Sequence, residues 1–483
     1  METISISKKD EVYIRVDCPA DIAREICDHF TFVVPGHTFV PAFRKRLWDG
    51  KIRLFNVFNK LLYGGLLEHL CKFLYVRNYK VNFESDFQTK LVNLDPQNKF
   101  IEDLKIPLKI RQYQLDAINH ALSKHRTLLL SPTASGKSLI IYIIVRYLEL
   151  KTLILVPTTS LVSQMYNDFR EYGWDVANNC HTVFAGRDKG SELPIVISTW
   201  QSIYKMPQKY FEQYELVIGD EAHGFKSKSL TSIMTKCVNA QYRIGATGTL
   251  DGTQTHRLVL EGLFGKVYKV TSTKKLIDEK HLSPFRIYAL MLKHPDSICH
   301  TLKNVSYQEE LEYLISSEAR NKYIVNLALG METNTLLLFR FVEKHGRLLY
   351  DMIKEQDVSN RKTFFVFGGT ASDTREQIRS IVERETNSII VASYGVFSVG
   401  VNIRNLHNII FASPSKSRIR NLQSIGRALR KTEQKQIATL YDIADNLSYK
   451  SKKNYTLEHF DERLKIYEEE LFNVSKYHIK LNI

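Results

Sequence analysis

The sequence predicts an α/β protein built from two tandem doubly wound parallel-sheet lobes, preceded by a small α+β N-terminal domain. From Thr127 onward, short β-branched apolar runs alternate with longer amphipathic stretches, the pattern of parallel strands covered by helices on both faces. After five such runs the alternation starts again and gives five more, which makes two successive sheets the simplest account. A chain of 483 residues has room for about three domains at ~150 residues each. A hydrophobic fraction of 44% is that of an ordinary protein with sizeable cores, so long disordered spans are not expected.

Taken in order, "EVYIRVDC" reads as a strand and "PADIAREICDHF" as a helix. A hairpin is expected in "RKRLWDGKIRLFN", Arg44 to Asn56, because the pair Asp49 and Gly50 interrupts alternating residues. Another helix follows it. Strands of the first lobe are expected to begin near Thr127, Thr152, Ile195, Glu215 and Tyr242, and those of the second near Thr335, Thr363, Ser388, Asn408 and Ala438. The stretch after Asn446 reads as helical and charged, with a packing role. The expected division is an N-terminal accessory domain over 1–100, lobes over 101–283 and 284–446, and a helical tail over 447–483.

The net charge of +15, with 67 Lys+Arg against 52 Asp+Glu, argues for a polyanionic partner without choosing between DNA, RNA and anionic lipid. The apolar run "LIIYIIV" is far shorter than the ~20 residues of a membrane span. "METISISKKDEVYI" lacks the apolar core of a secretory signal. Six cysteines scattered singly, none at metal-ligand spacing, read as reduced thiols of a cytoplasmic protein. Five cations, Arg44, Lys45, Arg46, Lys51 and Arg53, surround Trp48. They form either a solvated face over a small core or a phosphate-attracting surface on which Trp48 stacks on a base or wedges at a strand junction.

The chemistry begins at "TLLLSPTASGKS", a phosphate-loop pattern with Ser131 where the first glycine usually stands. It follows an expected strand and precedes an expected helix. The loop Ser131, Pro132, Thr133, Ala134, Ser135 and Gly136 would cradle phosphates with its backbone N–H groups, Lys137 would reach the β and γ oxygens, and Ser138 would ligate Mg²⁺. Gly-Lys-Ser alone arises often by chance, so a second site is needed. "VIGDEAHG" supplies one. Asp220 ends an apolar strand where a carboxylate can hold the metal shell, and Glu221 is placed to orient and deprotonate a water. In "LQSIGRALRK", Gln423, Arg427 and Arg430 fall at i, i+4 and i+7 on one helix face. Their lobe has no phosphate loop, so they are expected to act on the nucleotide of the first lobe as arginine fingers, worth on the order of 10³ to 10⁵ in rate.

In order and spacing these motifs resemble the superfamily 2 helicases with paired RecA-like lobes, DEAH-box type, and most of all the phage UvsW-type branch-migration helicases, relatives of RecG. The likeness covers nearly the whole chain, "WDGKIRLFN" included. It implies that Gln114 of "IRQYQ" reads adenine with Arg111 nearby, and that His223 links the nucleotide site to the lobe interface. It implies that Thr247 and Thr249 of "GATGT" couple hydrolysis to movement. It also implies nucleic-acid contacts at Pro157, Thr158, Thr159, Ser198, Thr199 and Trp200 in the first lobe, and at Arg340, Phe341, Gly368, Ser393 and Tyr394 in the second. Gly400 and Asn402 are implied near the nucleotide. Two departures stand out: Asn402 replaces a frequent Asp, and Leu429 replaces the second glycine of the arginine motif.

The expected function is an ATP- and Mg²⁺-dependent DNA helicase or translocase, moving 3′ to 5′, that unwinds or branch-migrates forks and four-way junctions in replication, recombination and repair. Its expected setting is the cytoplasm of a host cell, with a monomer as working unit and no membrane. An RNA helicase is the near alternative, since no residue here reads a 2′-hydroxyl. A DNA-annealing protein using the lobes as scaffold is a further one, and a restriction translocase is disfavoured by the lack of a nuclease pattern.

Overall fold

The computed structural model describes residues 3–481 except 86, 88–90, 96, 185, 400–402, 404, 414–416 and 430–436; side chains 255, 372, 397–399, 418–420, 427 and 428 are also outside the description. Two compact units divide the chain, one of residues 1–131 and 135–270, the other of 132–134 and 271–483.

The N-terminal segment supplies β1 (Thr3–Lys8), β2 (Tyr13–Asp17), β3 (Thr31–Val33), β4 (Lys51–Arg53), β5 (Phe55–Asn56), β6 (Leu61–Tyr63) and β7 (Lys80–Phe83). Five of these form a mixed sheet in the order β5-β6-β2-β1-β7, and β3 pairs antiparallel with β4 alone. This corrects the expected hairpin. Lys51–Arg53 pairs with Thr31–Val33, twenty residues upstream, while Pro41–Arg44 is a helical turn. Gly50 has φ +77°, and the Asp49 carboxylate accepts the Lys51 N–H at 3.1 Å, so Asp-Gly makes a local turn with no strand on its N-terminal side.

The rest of the first unit holds β8 (Arg126–Leu130), β9 (Thr152–Val156), β10 (Cys180–Val183), β11 (Ile195–Thr199), β12 (Leu216–Asp220), β13 (Tyr242–Thr247) and β14 (Val267–Lys269). They form one parallel sheet ordered β10-β11-β9-β12-β13-β8-β14. The central strands are buried from end to end, as sheets covered on both faces require. Gly219 and Gly245 let Phe225 and Phe264 approach that sheet closely; a Cβ at Gly219 would come within 2.6 Å of Phe225 and 2.8 Å of Phe264.

The N-terminal segment and this sheet share one compact unit. Leu258 and Val259 of the helix Gln254–Phe264 belong to the N-terminal core. Glu261 of the same helix is fully buried, takes a hydrogen bond from Arg257 at 2.9 Å, and pairs with His69 at 2.6 Å. Gly65 lies so close to that helix end that a Cβ would run into the Glu261 carbonyl and sit 2.8 Å from that of Gly262. Gly65→Ala is therefore expected to destabilise this unit by about 1–3 kcal/mol in denaturant unfolding, and Gly64→Ala, whose Cβ would meet nothing nearer than 3.5 Å, by less.

The second unit holds β15 (Phe285–Lys293), β16 (Thr335–Phe339), β17 (Thr363–Val366), β18 (Ile389–Ser393), β19 (Asn408–Phe411), β20 (Ala438–Asn446) and β21 (Asn473–Lys480), all parallel in the order β17-β18-β16-β19-β20-β15-β21. The stretch after Asn446 is not a helical tail. The helix Tyr455–Glu469 crosses back so that β21 can pair with β15 along Arg286–Lys293 and close that edge.

Candidate nucleotide site and nucleic-acid contact residues

The phosphate loop leaves the end of β8 and enters the helix Lys137–Leu148; the Leu139 and Ile140 N–H groups go to the Gly136 carbonyl at 3.1 and 3.2 Å, and the helix N-terminus favours an anion. Ala134 and Gly136 both take positive φ, +65° and +83°, which turns the backbone around the space in front of that helix. Ser131 does not face this space. It is fully buried, its N–H goes to the Thr247 carbonyl at 2.8 Å, and its hydroxyl pairs with that of Ser135. A serine at the first-glycine position thus braces the loop from behind through Thr247 and Ser135.

Gln114 also serves the loop. Its Nε2 donates to the Ser135 carbonyl at 2.9 Å and its Oε1 accepts the Arg111 N–H at 2.9 Å, which caps the helix Gln112–Lys124. Tyr113 donates its hydroxyl to the same Ser135 carbonyl at 3.1 Å, and Arg111 donates to that hydroxyl at 2.7 Å. In this state the Gln114 amide, 4% exposed, is a strut between two elements and is not open to a base.

At the end of β12, Asp220 is buried, and burial together with the Glu221 charge pushes its carboxyl up to about 6, against the pull of Lys137. Glu221 sits in the left-handed region at φ +50°, a strained setting for a non-glycine residue that aims its side chain at the loop. Lys137 Nζ lies 3.7 Å from one Glu221 oxygen and His223 Nδ1 3.3 Å from the other. His223 Nδ1 is also 3.1 Å from Thr247 Oγ1, which donates to the Thr249 carbonyl at 3.0 Å. The His223 carbonyl meets His256 Nε2 at 2.9 Å, and Asp251 holds the other nitrogen of His256 at 2.8 Å. The structure thus gathers Lys137, Asp220, Glu221, His223 and Thr247 around one loop. His256 and Asp251 were missed, because their sequence context carries no motif.

The nucleic-acid expectations divide. Thr159 is exposed and Pro157 and Thr158 half-exposed beyond β9, with Thr158 capping the helix Thr159–Glu171. Trp200 is half-buried against the core, and Ser198, fully buried, donates to the Thr199 carbonyl, itself on a buried residue. Arg340 is exposed, with its N–H on Ser413 Oγ at 3.1 Å and its guanidinium 5.2 Å over Phe341. Gly368 has open space around it. Tyr394 is 2% exposed and donates its hydroxyl to the Ser413 carbonyl at 3.1 Å, beside a Ser393 that is nearly buried too. Gln423 lies half-buried on the helix Arg418–Ala428, which also carries Arg427. The Arg427 side chain, Arg430, Gly400 and Asn402 lie outside the described residues. Leu429 is fully buried, which accounts for an apolar residue in place of glycine.

In the N-terminal domain Arg44, Lys45, Arg46, Lys51 and Arg53 are all exposed. Trp48 is half-buried and donates its indole N–H to the Lys51 carbonyl at 2.8 Å. It lines a shallow hollow of about 630 Å³ with Phe43 and Leu47.

Two parallel sheets, a phosphate loop before the helix Lys137–Leu148, an Asp-Glu-Ala-His strand end and a Gln-and-Arg helix define a superfamily 2 helicase. Residues 3–84 match the family described as DNA helicase UvsW, N-terminal; 107–252 match type III restriction enzyme, res subunit; and 319–432 match helicase conserved C-terminal domain. The ATP-dependent DNA helicase uvsW of Enterobacteria phage T4 is 33% identical over 97% of this chain and 98% of its own length. The DNA 3′-5′ translocase XPB2 of Sulfurisphaera tokodaii is 24% identical over 75% of this chain and 87% of its own. A solved fragment of an HsdR subunit of a type I restriction enzyme from Vibrio vulnificus covers 80% of this chain and 72% of its own at TM-score 0.57 and 20% identity, a likeness of fold alone. The chain belongs to the UvsW family of helicases.

Proposed function

We propose that the protein is an ATP-dependent DNA helicase and translocase that travels 3′ to 5′ and unwinds or branch-migrates forked and four-way DNA in replication, recombination and repair. The observation that carries the reading is the convergence of Lys137, Asp220 and Glu221 on the loop before the helix Lys137–Leu148, in a chain that aligns with a DNA helicase from end to end. The loop N–H groups and Lys137 bind the triphosphate, Glu221 takes the proton of the attacking water, and His223 holds Glu221 in line. Arg427 and Arg430 supply positive charge to the transferred phosphoryl group, and Gln423 belongs to the same motif. Arg111 and Gln114 support the base end of the nucleotide, Gln114 after letting go of Ser135.

Ser138 and Asp220, with Glu221 behind them, fit a Mg²⁺ ion. A carboxyl raised to about 6 by burial and a neighbouring charge is an uncompensated anion that a divalent cation relieves. Bound there, Mg²⁺ would neutralise phosphate charge. The sign follows for pH. The folded-state value lies above the ordinary 3.8, so ionisation of Asp220 opposes the metal-free fold above pH ~6, and that penalty is relieved as the pH falls toward 4. Proton and metal compete for one carboxylate. ATP turnover is therefore expected to fall as the pH drops through about 6, and tenfold more Mg²⁺ to move that limb to lower pH; a limb indifferent to Mg²⁺ would remove Asp220 from the metal site.

The cations of the N-terminal domain, Arg44, Lys45, Arg46, Lys51 and Arg53, bind phosphates, and Pro157, Thr158, Thr159, Arg340, Phe341 and Gly368 follow the translocated strand without reading sequence. The working unit is a monomer in the host-cell cytoplasm. Among the described residues no helix is long and apolar enough to cross a membrane. Comparing ATPase stimulation by branched DNA and by structured RNA separates a DNA enzyme from an RNA one; equal or greater stimulation by RNA would overturn the DNA assignment.

A further inference from the structure

The turn between β5 and β6, residues 57–60, ends in a phenylalanine with no cover: Phe58 is 100% exposed. The turn is not loose. Asn56 Oδ1 accepts the N–H groups of Phe58 and Asn59 at 2.9 and 3.2 Å, and Asn59 Oδ1 accepts that of Leu61 at 3.2 Å. Lys60 takes φ +54°, its carbonyl accepts the Val16 N–H at 2.9 Å, and its ammonium lies 3.3 Å from Asp17. Beneath the tip, Phe55 and Leu62 face each other across the two strands and are both buried, while Val57 packs on the same core. Every apolar neighbour in the turn is anchored inward, so one ring is held out in water on a pinned frame. Between Arg44 and Lys60 the sequence carries six cations, the five above and Lys60, against a single carboxylate, Asp49. The segment is thus net positive by five and suited to a polyanion.

We infer that Phe58 is a base-stacking residue, taking the face of an unpaired base where strands part at a DNA branch while the adjoining cations hold the phosphates. This rests on the DNA-helicase reading above and names a residue for it. It also moves the stacking role away from Trp48, which is half-buried with its indole N–H donated to the Lys51 carbonyl. An aromatic face on a frame fixed before binding loses little freedom when a base arrives, and it tolerates any base, as a translocating enzyme requires. A protein partner would also cover an exposed ring, but six cations against Asp49 and Asp17 would demand an acidic protein, whereas DNA meets both the charge and the flat face.

The test uses the full chain and a fork carrying 2-aminopurine at the branch point. The reading itself is checked by wild type: ATP-dependent displacement of the fork must occur, and its absence would strike the helicase function and not Phe58. Given that displacement, Phe58→Ala is expected to lower the ratio of fork unwinding to single-strand-stimulated ATP turnover by on the order of tenfold. Phe58→Trp should keep the ratio within a few-fold. The quenching of 2-aminopurine on binding should disappear in Phe58→Ala and persist in Phe58→Trp. Because the side chain makes no packing contact, melting of both variants should match wild type. A ratio unchanged in Phe58→Ala, a ratio restored by Phe58→Leu as fully as by Phe58→Trp, or quenching retained without the ring would each overturn the assignment. Capture of an acidic protein in preference to DNA would do so as well.

Discussion

Replacing Lys137 by alanine, or Glu221 by glutamine, is expected to lower DNA-stimulated ATP hydrolysis by on the order of 10² to 10⁴-fold while DNA binding is retained. The two variants act differently. Glu221→Gln keeps the shape of the side chain and an oxygen for His223, 3.3 Å away, but removes the base that accepts the water's proton. Lys137→Ala removes the cation 3.7 Å from Glu221, and with it the charge that opposes the rise of Asp220. The alanine variant should therefore also raise the pH at which Asp220 takes its proton, and the glutamine variant should lower it, since Glu221's charge is one of the two causes of the rise. ATPase assays with and without DNA, run beside a filter-binding or anisotropy measurement, read both effects. Wild-type turnover in either variant would exclude that residue from the chemistry.

Asp445→Asn is expected to destabilise the second unit by about 3–5 kcal/mol. Asp445 closes β20, and Arg320 from the helix Glu318–Leu329 grips its two oxygens at 2.8 and 2.9 Å, with neither side chain exposed. Burial alone would raise the Asp445 carboxyl, but the Arg320 charge and the hydrogen bonds from His294 and Arg320 outweigh it and hold the group well below the ordinary carboxylate range. A folded-state value below the unfolded one means the contribution is present in full at neutral pH and is lost only as the pH falls far into acid. Arg320 also donates to the Ala412 carbonyl, and the next residue, Ser413, holds the Arg340 N–H and His345. Burial with the nearby Arg320 charge pushes His345 down to about 3, so it stays neutral in that network. The pair therefore buckles strand ends that present Arg340. Chemical denaturation should show the loss for Asp445→Asn and for Arg320→Met singly. The double variant Arg320→Met with Asp445→Leu should lose less than either, because no charge is left buried alone. A double variant that loses the sum of the two would contradict this account.

The ten strands that begin near Thr127, Thr152, Ile195, Glu215, Tyr242, Thr335, Thr363, Ser388, Asn408 and Ala438 were legible because buried parallel strands write themselves as continuous β-branched runs. Four others in those two sheets were not. Cys180–Val183 and Val267–Lys269 are short edge strands, and Asn473–Lys480 is an edge strand with mostly exposed, polar residues and no run to see. Phe285–Lys293 was hidden by its isolation in sequence, since it pairs with β20 and β21 more than 140 residues later. The Asp-Gly pair misled because a turn residue fixes local geometry and not the strand that answers it. At the site, Lys137, Asp220, Glu221 and His223 could be read because strand end, loop and helix start are contiguous. The struts Gln114 to Ser135 and Ser131 to Ser135 could not, since which hydroxyl or amide meets which carbonyl is decided by packing. Arg243 is a similar case. Within the run "YRIGAT" it is fully buried on the carbonyls of Leu263, Cys237 and Met234, and nothing in its neighbours announces it.

The most direct measurement is strand displacement on a panel of forked, four-way and linear DNA duplexes, with an RNA fork of the same sequence, in the presence and absence of ATP and Mg²⁺. The account predicts that branched DNA is unwound or branch-migrated only when both are present, faster than linear duplex, and faster than the RNA fork. Displacement that proceeds equally without ATP, or that prefers the RNA fork, would contradict it.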